Sequence, residues 1–406
     1  MSDFRKLTAD DLASEFKRVR SLTLNILSEF ELHISHNLHV ELSPNINLPR
    51  WEFSHVAWFS ERWILRNKVR DKGAKANLKN NMSLNKEIKP FFKKADDSFD
   101  SSLIVHDERW KKKLPPVYLI REYLVSNLKE TLKLIQNESP ISNDECYFYR
   151  LSLAHEYMHI EAFAMTAQYL GFPLLCVHKK YLDKGFKSYR KTTICKFSKL
   201  QKINELGFHF DNETIKIENP TKPFEIDTYP VSIIEMVKFR QSDVFNNKDL
   251  WSMEGWHWKN NIKNNTFLDL CSLNNSDQIE IKKWFGHKHF FMKNSPAIHI
   301  SFYEAEAYCN WKKSRLPTEF EWLYATQNNL ISWGTVWEWT ATIFDSYKGF
   351  KTHPYKEYSK PWFGNHQVVK GKSFATQEKF KNKLFRNFYQ KHRNDVFIGF
   401  RTVKDL

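Results

Sequence analysis

The sequence is short of cysteine and glycine, and both shortages exclude common architectures. Its five cysteines are an odd number without a C-x-x-C pair, which argues against a disulfide framework and a structural zinc site. With 11 glycines, it contains neither a G-x-G-x-x-G nor a Walker phosphate-binding pattern. No apolar run reaches about 18 residues, and the first residues lack a signal peptide's apolar core. We therefore expect a cytoplasmic protein without a membrane partner.

Positive charge is in excess, with a formal net charge of +15. A basic balance can indicate nucleic acid or acidic ligands. The lysines are scattered among asparagines and do not concentrate on one helix face. We interpret them as solvated surface, and no nucleic-acid partner is expected.

Helical periodicity dominates the first half of the chain. Apolar residues recur at three- and four-residue steps, which predicts helices over residues 11–31, 51–67, 116–136 and 144–170. The periodicity ends near Gly171. Four such helices joined by loops predict an up-and-down bundle, whose core is a usual place for a metal site.

In the second half, the sequence pattern predicts short strands and loops, and aromatic residues are frequent. Residues 224–231 are predicted to form an edge strand that runs into a turn. Ser301 and Glu304 predict the capping box of a following helix. A chain of 406 residues favours two domains, which we place at 1–175 and 206–406 with a linker at 176–205.

The segment from Leu153 to Glu161 contains the clearest chemical motif. His155 and His159 are four residues apart on a predicted helix, so both imidazoles project from one face as potential metal ligands. The letters also fit the H-E-x-x-H pattern of zinc proteases, with Glu156 as general base. Two core histidines satisfied by their neighbours are the simpler alternative. His55, among apolar residues of the second helix, gains meaning if it faces this pair.

Several segments of the second half resemble the formylglycine-generating-enzyme (sulfatase-modifying factor) fold. They are P-A-I-H-I-S-F-Y-E-A at 296–305, R-L-P-T-E-F-E-W at 315–322, V-W-E-W-T at 336–340 and G-F-R at 399–401. The first half resembles a DinB-like domain with an H-x-x-x-H-x-E iron motif. The combination resembles the EgtB-type ergothioneine sulfoxide synthases. This resemblance implies an α+β fold, a DinB-like four-helix bundle followed by a mixed formylglycine-generating-enzyme-like (C-type-lectin-like) domain.

The resemblance also implies a non-haem iron(II) centre and an oxygen-dependent reaction. Iron would be held by His55, His155 and His159, and Glu161 would fix one of these imidazoles through its distal N–H. Tyr355 would be the catalytic residue that supplies a proton or hydrogen atom. The family substrate is hercynine, a trimethylated histidine. Its quaternary ammonium group is attracted to the faces of aromatic rings.

Departures from the typical ergothioneine enzyme point to one branch of the family. Met158 replaces a glutamine, and Asn387-Phe388-Tyr389 replaces a strand that has a Trp-Asp pair after its asparagine. Together with residues 100–110, these segments resemble the selenoneine synthase (SenA) branch. That resemblance implies that Asn387, Phe388, Tyr389 and Met158 contact substrate, and that a selenosugar is the donor joined to hercynine.

Residues 100–110 also shape our expectation for the donor. The segment offers Arg109 alone where the family places paired arginines, beside Asp100, Asp107 and Glu108. These acids would repel an anionic peptide and could bind sugar hydroxyls, with His106 adding a polar contact. We therefore expect iron- and O2-dependent C–Se or C–S bond formation on hercynine.

Three other functions are weighed against this one. A thiol donor such as γ-glutamylcysteine or cysteine would return the chain to the ergothioneine branch. A zinc protease would use His155, Glu156 and His159 but leave the second half unexplained. Formylglycine generation itself is disfavoured because the thiols that bind copper are not found near Gly399-Phe400-Arg401.

Overall fold

The computed structural model describes residues 3–76, 84–85, 87–138, 142–176, 191–196, 207–214, 222–262, 271–273 and 278–406. Helices dominate the first half, and the second half mixes short helices with three small sheets, so the α+β prediction is confirmed. In the described part of the chain, no helix has both the length and the apolar character needed to cross a membrane.

Four long helices form the first half. They are α1 (Ala9–His33), α3 (Pro49–Ser60), α6 (Val117–Glu138) and α7 (Cys146–Leu170), with short helices α2 (Ser35–Leu38), α4 (Ala95–Phe99) and α5 (Glu108–Lys111) between them. Helices α1 and α3 each pack against both α6 and α7. Leu12, Phe16 and Val19 on α1 are buried, as their spacing predicts. The DinB-like identity of this arrangement stays a prediction.

Helix α3 does not continue regularly to residue 67. It changes at Ser60 into a π-helical turn, Glu61–Leu65. Such a turn inserts an extra residue into the helix and is frequent at functional sites. Here it redirects Arg62 and Trp63, which both line the cavity described below.

The second half contains ten described strands in three sheets. They are β1 (Thr192–Cys195), β2 (Phe224–Asp227), β3 (Cys271–Leu273), β4 (Gln278–Trp284), β5 (His287–Met292), β6 (Trp337–Ile343), β7 (Gln367–Gly371), β8 (Asn387–Tyr389), β9 (Ile398–Gly399) and β10 (Val403–Asp405). The sheet orders are β1-β2-β10, β3-β4-β5 and β8-β7-β6-β9.

The strand predicted within 224–231 is present over Phe224–Asp227, but the prediction that it lies at a sheet edge is wrong. Strand β2 is the central strand of its sheet, because β1 and β10 pair with it on opposite sides. Both partners are distant in sequence, and β1 lies within the segment predicted to be a linker. The rest of that segment lies largely outside the described residues, so the domain boundaries stay a prediction.

Four helices accompany the sheets: α8 (Ile233–Gln241), α9 (Met253–Asn261), α10 (Phe302–Trp311) and α11 (Glu319–Gln327). The predicted capping box of α10 is confirmed, since the Ser301 hydroxyl accepts from the Glu304 N–H and Glu304 accepts from the Ser301 N–H. The equivalent pair of Thr318 and Glu321 caps α11.

The two halves meet along α7. Gly171, which ends α7 in the left-handed conformation at φ 79°, lies against the turn between β4 and β5. A Cβ at Gly286 in that turn would lie 2.1 Å from the Gly171 carbonyl oxygen. Beside it, the Phe285 N–H donates to Gln168 Oε1 at 2.6 Å. Backbone from the second half therefore packs directly against the end of α7.

Candidate metal centre

Three histidines from α3 and α7 converge on one point. His55 Nε2 lies 3.0 Å from His155 Nε2, and His159 Nε2 lies 3.2 Å from the same atom. His155 and His159 are one turn apart on α7, while His55 reaches them from the facing helix. The structure thus brings together the three residues predicted as ligands.

The hydrogen bonds of the other ring nitrogens assign the tautomers. His55 Nδ1 lies 2.6 Å from the carbonyl oxygen of Phe99, so it must donate there. His159 Nδ1 lies 2.6 Å from Glu52 Oε1 and donates to this carboxylate. Both Nε2 atoms therefore carry lone pairs that point at the centre of the cluster. Together with His155 Nε2, these two nitrogens lie within 4.8 Å of one another, a spacing at which all three can bind one cation.

Burial favours the neutral form of two of the three histidines. Desolvation lowers the pKa of His55 and His155 well below the ordinary histidine value, and the neighbouring His159 lowers both further. Neutral imidazole is the form that ligates metals, and three imidazole ligands leave coordination positions open, so the residues fit an open metal site.

Aromatic rings hold two of the imidazoles in place. Trp51 stacks on His55 with ring centroids 4.8 Å apart, and Phe59 stacks on His155 at 3.6 Å. These rings exclude water from the flanks of the cluster and restrict rotation of the ligands. Packing of this kind preorganises a metal site before the metal binds.

Glu52, not Glu161, supports a ligand imidazole, which corrects our prediction. Glu161 accepts hydrogen bonds from Trp337 Nε1, the Ser373 hydroxyl and the Thr376 hydroxyl, so it joins α7 to the second half. Glu52 is 1% exposed, and its Oε2 has no hydrogen-bond partner among the described residues. A carboxylate within the apolar run of α3 was the available signal in the sequence.

Glu156 cannot serve as a protease base in this conformation. Its carboxylate forms a bidentate ion pair with Arg20, with both N···O distances at 2.9 Å, and accepts from the Thr23 hydroxyl at 2.6 Å. These partners lie on α1, so Glu156 points toward that helix. The zinc-protease interpretation of the H-E-x-x-H motif is therefore disfavoured, because Glu156 is not placed to act as its general base.

A cavity of about 1150 Å³ opens beside the cluster. Its lining includes His55, Asp100 and Tyr355, so one ligand and two further predicted site residues share it. The Tyr355 ring makes edge contacts with Phe59 at 5.1 Å and Trp63 at 5.6 Å. Burial raises the pKa of Tyr355 above the ordinary tyrosine value, which keeps its hydroxyl protonated at neutral pH.

The predicted hercynine-contacting strand lies next to this cavity and does not line it. Phe388 on β8 stacks on Phe344 at 4.0 Å and contacts Tyr358 at 5.7 Å. Tyr358 is in turn 6.1 Å from Tyr355, so aromatic rings connect the strand to the cavity.

The other predicted contacts approach from the α7 side. Burial raises the pKa of Tyr389, and the nearby Glu161 carboxylate raises it further. The Asn387 side chain accepts from the Phe388 N–H. Met158 is half-buried immediately before the ligand His159.

The acids used to predict the donor do not act as a group. Asp100 lines the cavity, but the Asp107 and Glu108 side chains are 67% and 46% exposed. His106 Nε2 is 2.9 Å from the Ile46 carbonyl oxygen, so it anchors its own loop. The local repulsion that we expected against an anionic donor therefore reduces to one carboxylate.

Arg109 lies close to the cluster of three histidines. Its guanidinium stacks over Trp51 at 4.1 Å and donates to the side-chain oxygen of Asn47. Its Nε has no hydrogen-bond partner among the described residues. Burial lowers the pKa of Arg109, and the charge of Glu52 partly offsets this effect. An incompletely paired guanidinium here could bind a ligand carboxylate.

Comparisons with known proteins give a family match over the second half and relatives along the full chain. The family of sulfatase-modifying factor enzyme 1-like domains matches residues 200–330 and 332–406. A protein named hercynine oxygenase from Mycolicibacterium smegmatis is 24% identical over 99% of this chain and 99% of its own length. A hercynine oxygenase from Mycolicibacterium thermoresistibile is 21% identical over 98% of this chain and 95% of its own. The formylglycine-generating enzyme of Mus musculus is 49% identical over 45 residues, 10% of this chain and 12% of its own.

Proposed function

The chain belongs to the family with a sulfatase-modifying factor enzyme 1-like domain and, through its full-length similarity to hercynine oxygenases, to the EgtB-type group; on this premise we propose that it is an iron(II)- and O2-dependent oxidoreductase acting on hercynine. The reaction would form a carbon–selenium or carbon–sulfur bond on the imidazole ring. The convergence of three imidazoles beside a tyrosine-lined cavity carries this proposal.

Iron(II) held by His55, His155 and His159 would supply one-electron chemistry with oxygen, which no side chain of the protein provides alone. The protein's own task is to hold ligands and substrates in a fixed geometry. Glu52 keeps the His159 lone pair pointed inward. Phe59 and Trp51 keep bulk water off the ligands.

Tyr355 would hold the proton that the reaction needs. Because burial raises its pKa, the hydroxyl is a donor throughout the physiological pH range. Its ring makes an edge contact with Phe59, which itself stacks on His155, and Tyr355 lines the same cavity as His55. We propose that it donates to the oxidised donor or to oxygen during bond formation.

The identity of the donor is the finer question. Met158 and Asn387-Phe388-Tyr389 resemble the selenoneine synthase branch, so we propose a selenosugar as the first candidate. A thiol with carboxylates, such as γ-glutamylcysteine, is the second candidate. The half-buried and incompletely paired Arg109 favours the second, since a guanidinium binds carboxylates in a bidentate manner.

A competition assay tests both levels of the proposal. Iron-loaded protein would be incubated with hercynine, oxygen and equal concentrations of a selenosugar and γ-glutamylcysteine, and the products identified by mass. Coupling to either donor supports the hercynine reaction, and the product ratio identifies the branch. Absence of any hercynine-derived product would exclude the function.

We also propose a reducing, cytoplasmic location, because the five cysteines are all free thiols.

A further inference from the structure

One buried carboxylate holds both ends of the loop that carries Tyr355. Asp211 Oδ2 accepts from the backbone N–H of His353 at 3.3 Å, and Asp211 Oδ1 accepts from the Ser359 hydroxyl. His353 precedes Tyr355 by two residues, and Ser359 follows it by four. Asp211 is 3% exposed and Ser359 is 0% exposed, so water does not compete for these bonds.

Asp211 is itself fixed to the first half of the chain. It begins a short 3-10 helix, Asp211–Glu213, whose last residue forms a bidentate ion pair with Arg5 at 2.9 and 2.7 Å. The Phe208 N–H donates to the Arg5 carbonyl oxygen at 3.0 Å. Segment 207–213 thus lies between the N-terminal residues and the tyrosine loop.

A second residue of this segment reinforces the attachment. Asn212 Nδ2 donates to the Ser359 hydroxyl oxygen at 2.9 Å, while that hydroxyl donates to Asp211. Ser359 therefore uses both its donor and an acceptor position on adjacent residues of one segment. Phe210 adds a stacking contact with Tyr358 at 4.2 Å.

The Tyr355 ring depends on this attachment. Its contacts with Phe59 and Trp63 are edge-on, and such contacts fix the tilt of a ring less firmly than hydrogen bonds fix a backbone. Proton transfer requires the hydroxyl within about 3 Å of its target. The loop ends must therefore be held to the half of the protein that contains the three histidines.

We propose that Asp211 is a positioning residue that holds the Tyr355 loop in place relative to the cluster of three histidines. The inference rests on the proposed function of Tyr355. Asp211 does not touch the cavity chemistry; it acts through the His353 backbone and the Ser359 side chain.

Asp211→Ala tests the proposal because it removes both acceptors. Hydrogen exchange at the His353 amide should accelerate about 10–100-fold, since its acceptor is lost. The product-forming rate should fall about 10–100-fold while oxygen is still consumed without product, as for a displaced proton donor. The KM for hercynine should change by less than about threefold, because substrate contacts are intact. Asp211→Asn keeps one acceptor oxygen and should give intermediate values.

Asp249→Ala is the matched control. Asp249 is an exposed acid in another short 3-10 helix, Lys248–Leu250, remote in sequence from the tyrosine loop. This variant should show the exchange and turnover of the unaltered protein. Unchanged exchange at His353 in Asp211→Ala would overturn the proposal, and so would raised exchange with an unaltered product rate.

Two further results separate this proposal from others. If Asp211→Ala loses iron or unfolds, Ser359→Ala removes one contact of the pair and should still uncouple oxygen use from product; full coupling in that variant would overturn the proposal. If the unaltered protein forms no hercynine product, the proposed function fails. The exchange measurement at His353 still decides whether Asp211 holds the loop.

Discussion

Each histidine of the candidate site has its own contact that orients the ring: a backbone carbonyl for His55, an aromatic face for His155 and a carboxylate for His159. His55→Ala removes one imidazole and leaves two on α7. We expect iron content and turnover to fall to background, because two neutral imidazoles bind iron(II) weakly. Iron per chain, measured by elemental analysis, is the readout. Full iron content in this variant would exclude the three-histidine site.

The Glu52 carboxylate makes a separate prediction. Glu52→Gln keeps the size of the side chain but removes its charge, so the hydrogen bond that orients the His159 ring is no longer charge-assisted. We expect iron affinity to fall about 10–100-fold, as for other residues that support metal ligands. Glu161→Gln is the comparison, because its contacts are with the second half; it should lower thermal stability more than iron affinity. Equal losses of affinity in the two variants would contradict this assignment.

Tyr355→Phe removes one oxygen atom and leaves the ring contacts with Phe59 and Trp63 in place. The product-forming rate should fall by about 10²–10⁴-fold, the usual contribution of a positioned acid. Oxygen consumption and hercynine binding should persist. Product by mass and oxygen uptake, measured together, check this, and an unchanged product yield would remove Tyr355 from the mechanism.

The sequence predicted which histidines lie together, but it did not predict the residues that hydrogen-bond to them. His155 and His159 follow from helical spacing, because four residues bring two side chains to one face. Glu52 could not be found in this way, since its bond to His159 crosses from α3 to α7 and no spacing rule links the two. Glu161 was assigned from its place in a motif, and its side chain turns to the second half instead.

At the scale of elements, short-range sequence patterns predicted those helices whose formation depends on residues close together in the chain. The four long helices follow from apolar periodicity, and α10 follows from a capping box formed within four residues. Strand β2 was misjudged because its neighbours β1 and β10 lie far away in the chain. The π-turn after α3 has no sequence rule at all, because it depends on what packs around it.

Strand β7 contains a buried lysine with a measurable pH signature. Lys370 is 1% exposed and donates to the carbonyl oxygens of Leu384 and Phe385. Burial lowers its pKa to about 8, so the unfolded chain, with an ordinary value near 10.5, binds more protons between these pH values. Stability should therefore rise with pH in that window by roughly 1 kcal/mol per unit.

The comparison with Lys370→Met isolates this effect, because methionine does not titrate. Urea unfolding of both proteins at several pH values between about 8 and 10 gives the difference in free energy of unfolding. We expect the difference, unaltered minus variant, to increase with pH. A constant or decreasing difference would show that Lys370 is charged in the folded protein.

At the scale of the whole molecule, the candidate site needs both halves of the chain. The histidines come from α3 and α7, whereas Tyr355 comes from a loop of the second half. The resemblance to a known pairing of domains predicted that both would contribute. It could not predict the contacts that hold them together, such as Glu161 with Trp337 and Arg5 with Glu213, because these depend on the packed structure.

The contact between Gly286 and Gly171 has a consequence for which sequences can evolve from this one. In a selection for hercynine turnover, any side chain at 286 would force the β4–β5 turn away from the end of α7, since its Cβ would meet a carbonyl oxygen at 2.1 Å. We expect Gly286→Ala to be depleted from a library of variants. Gly364 has a similar φ of 78°, but a Cβ there meets no described atom within 4 Å. Gly364→Asn should survive, because asparagine tolerates this conformation. Substitutions should therefore accumulate by neutral drift at Gly364 but not at Gly286.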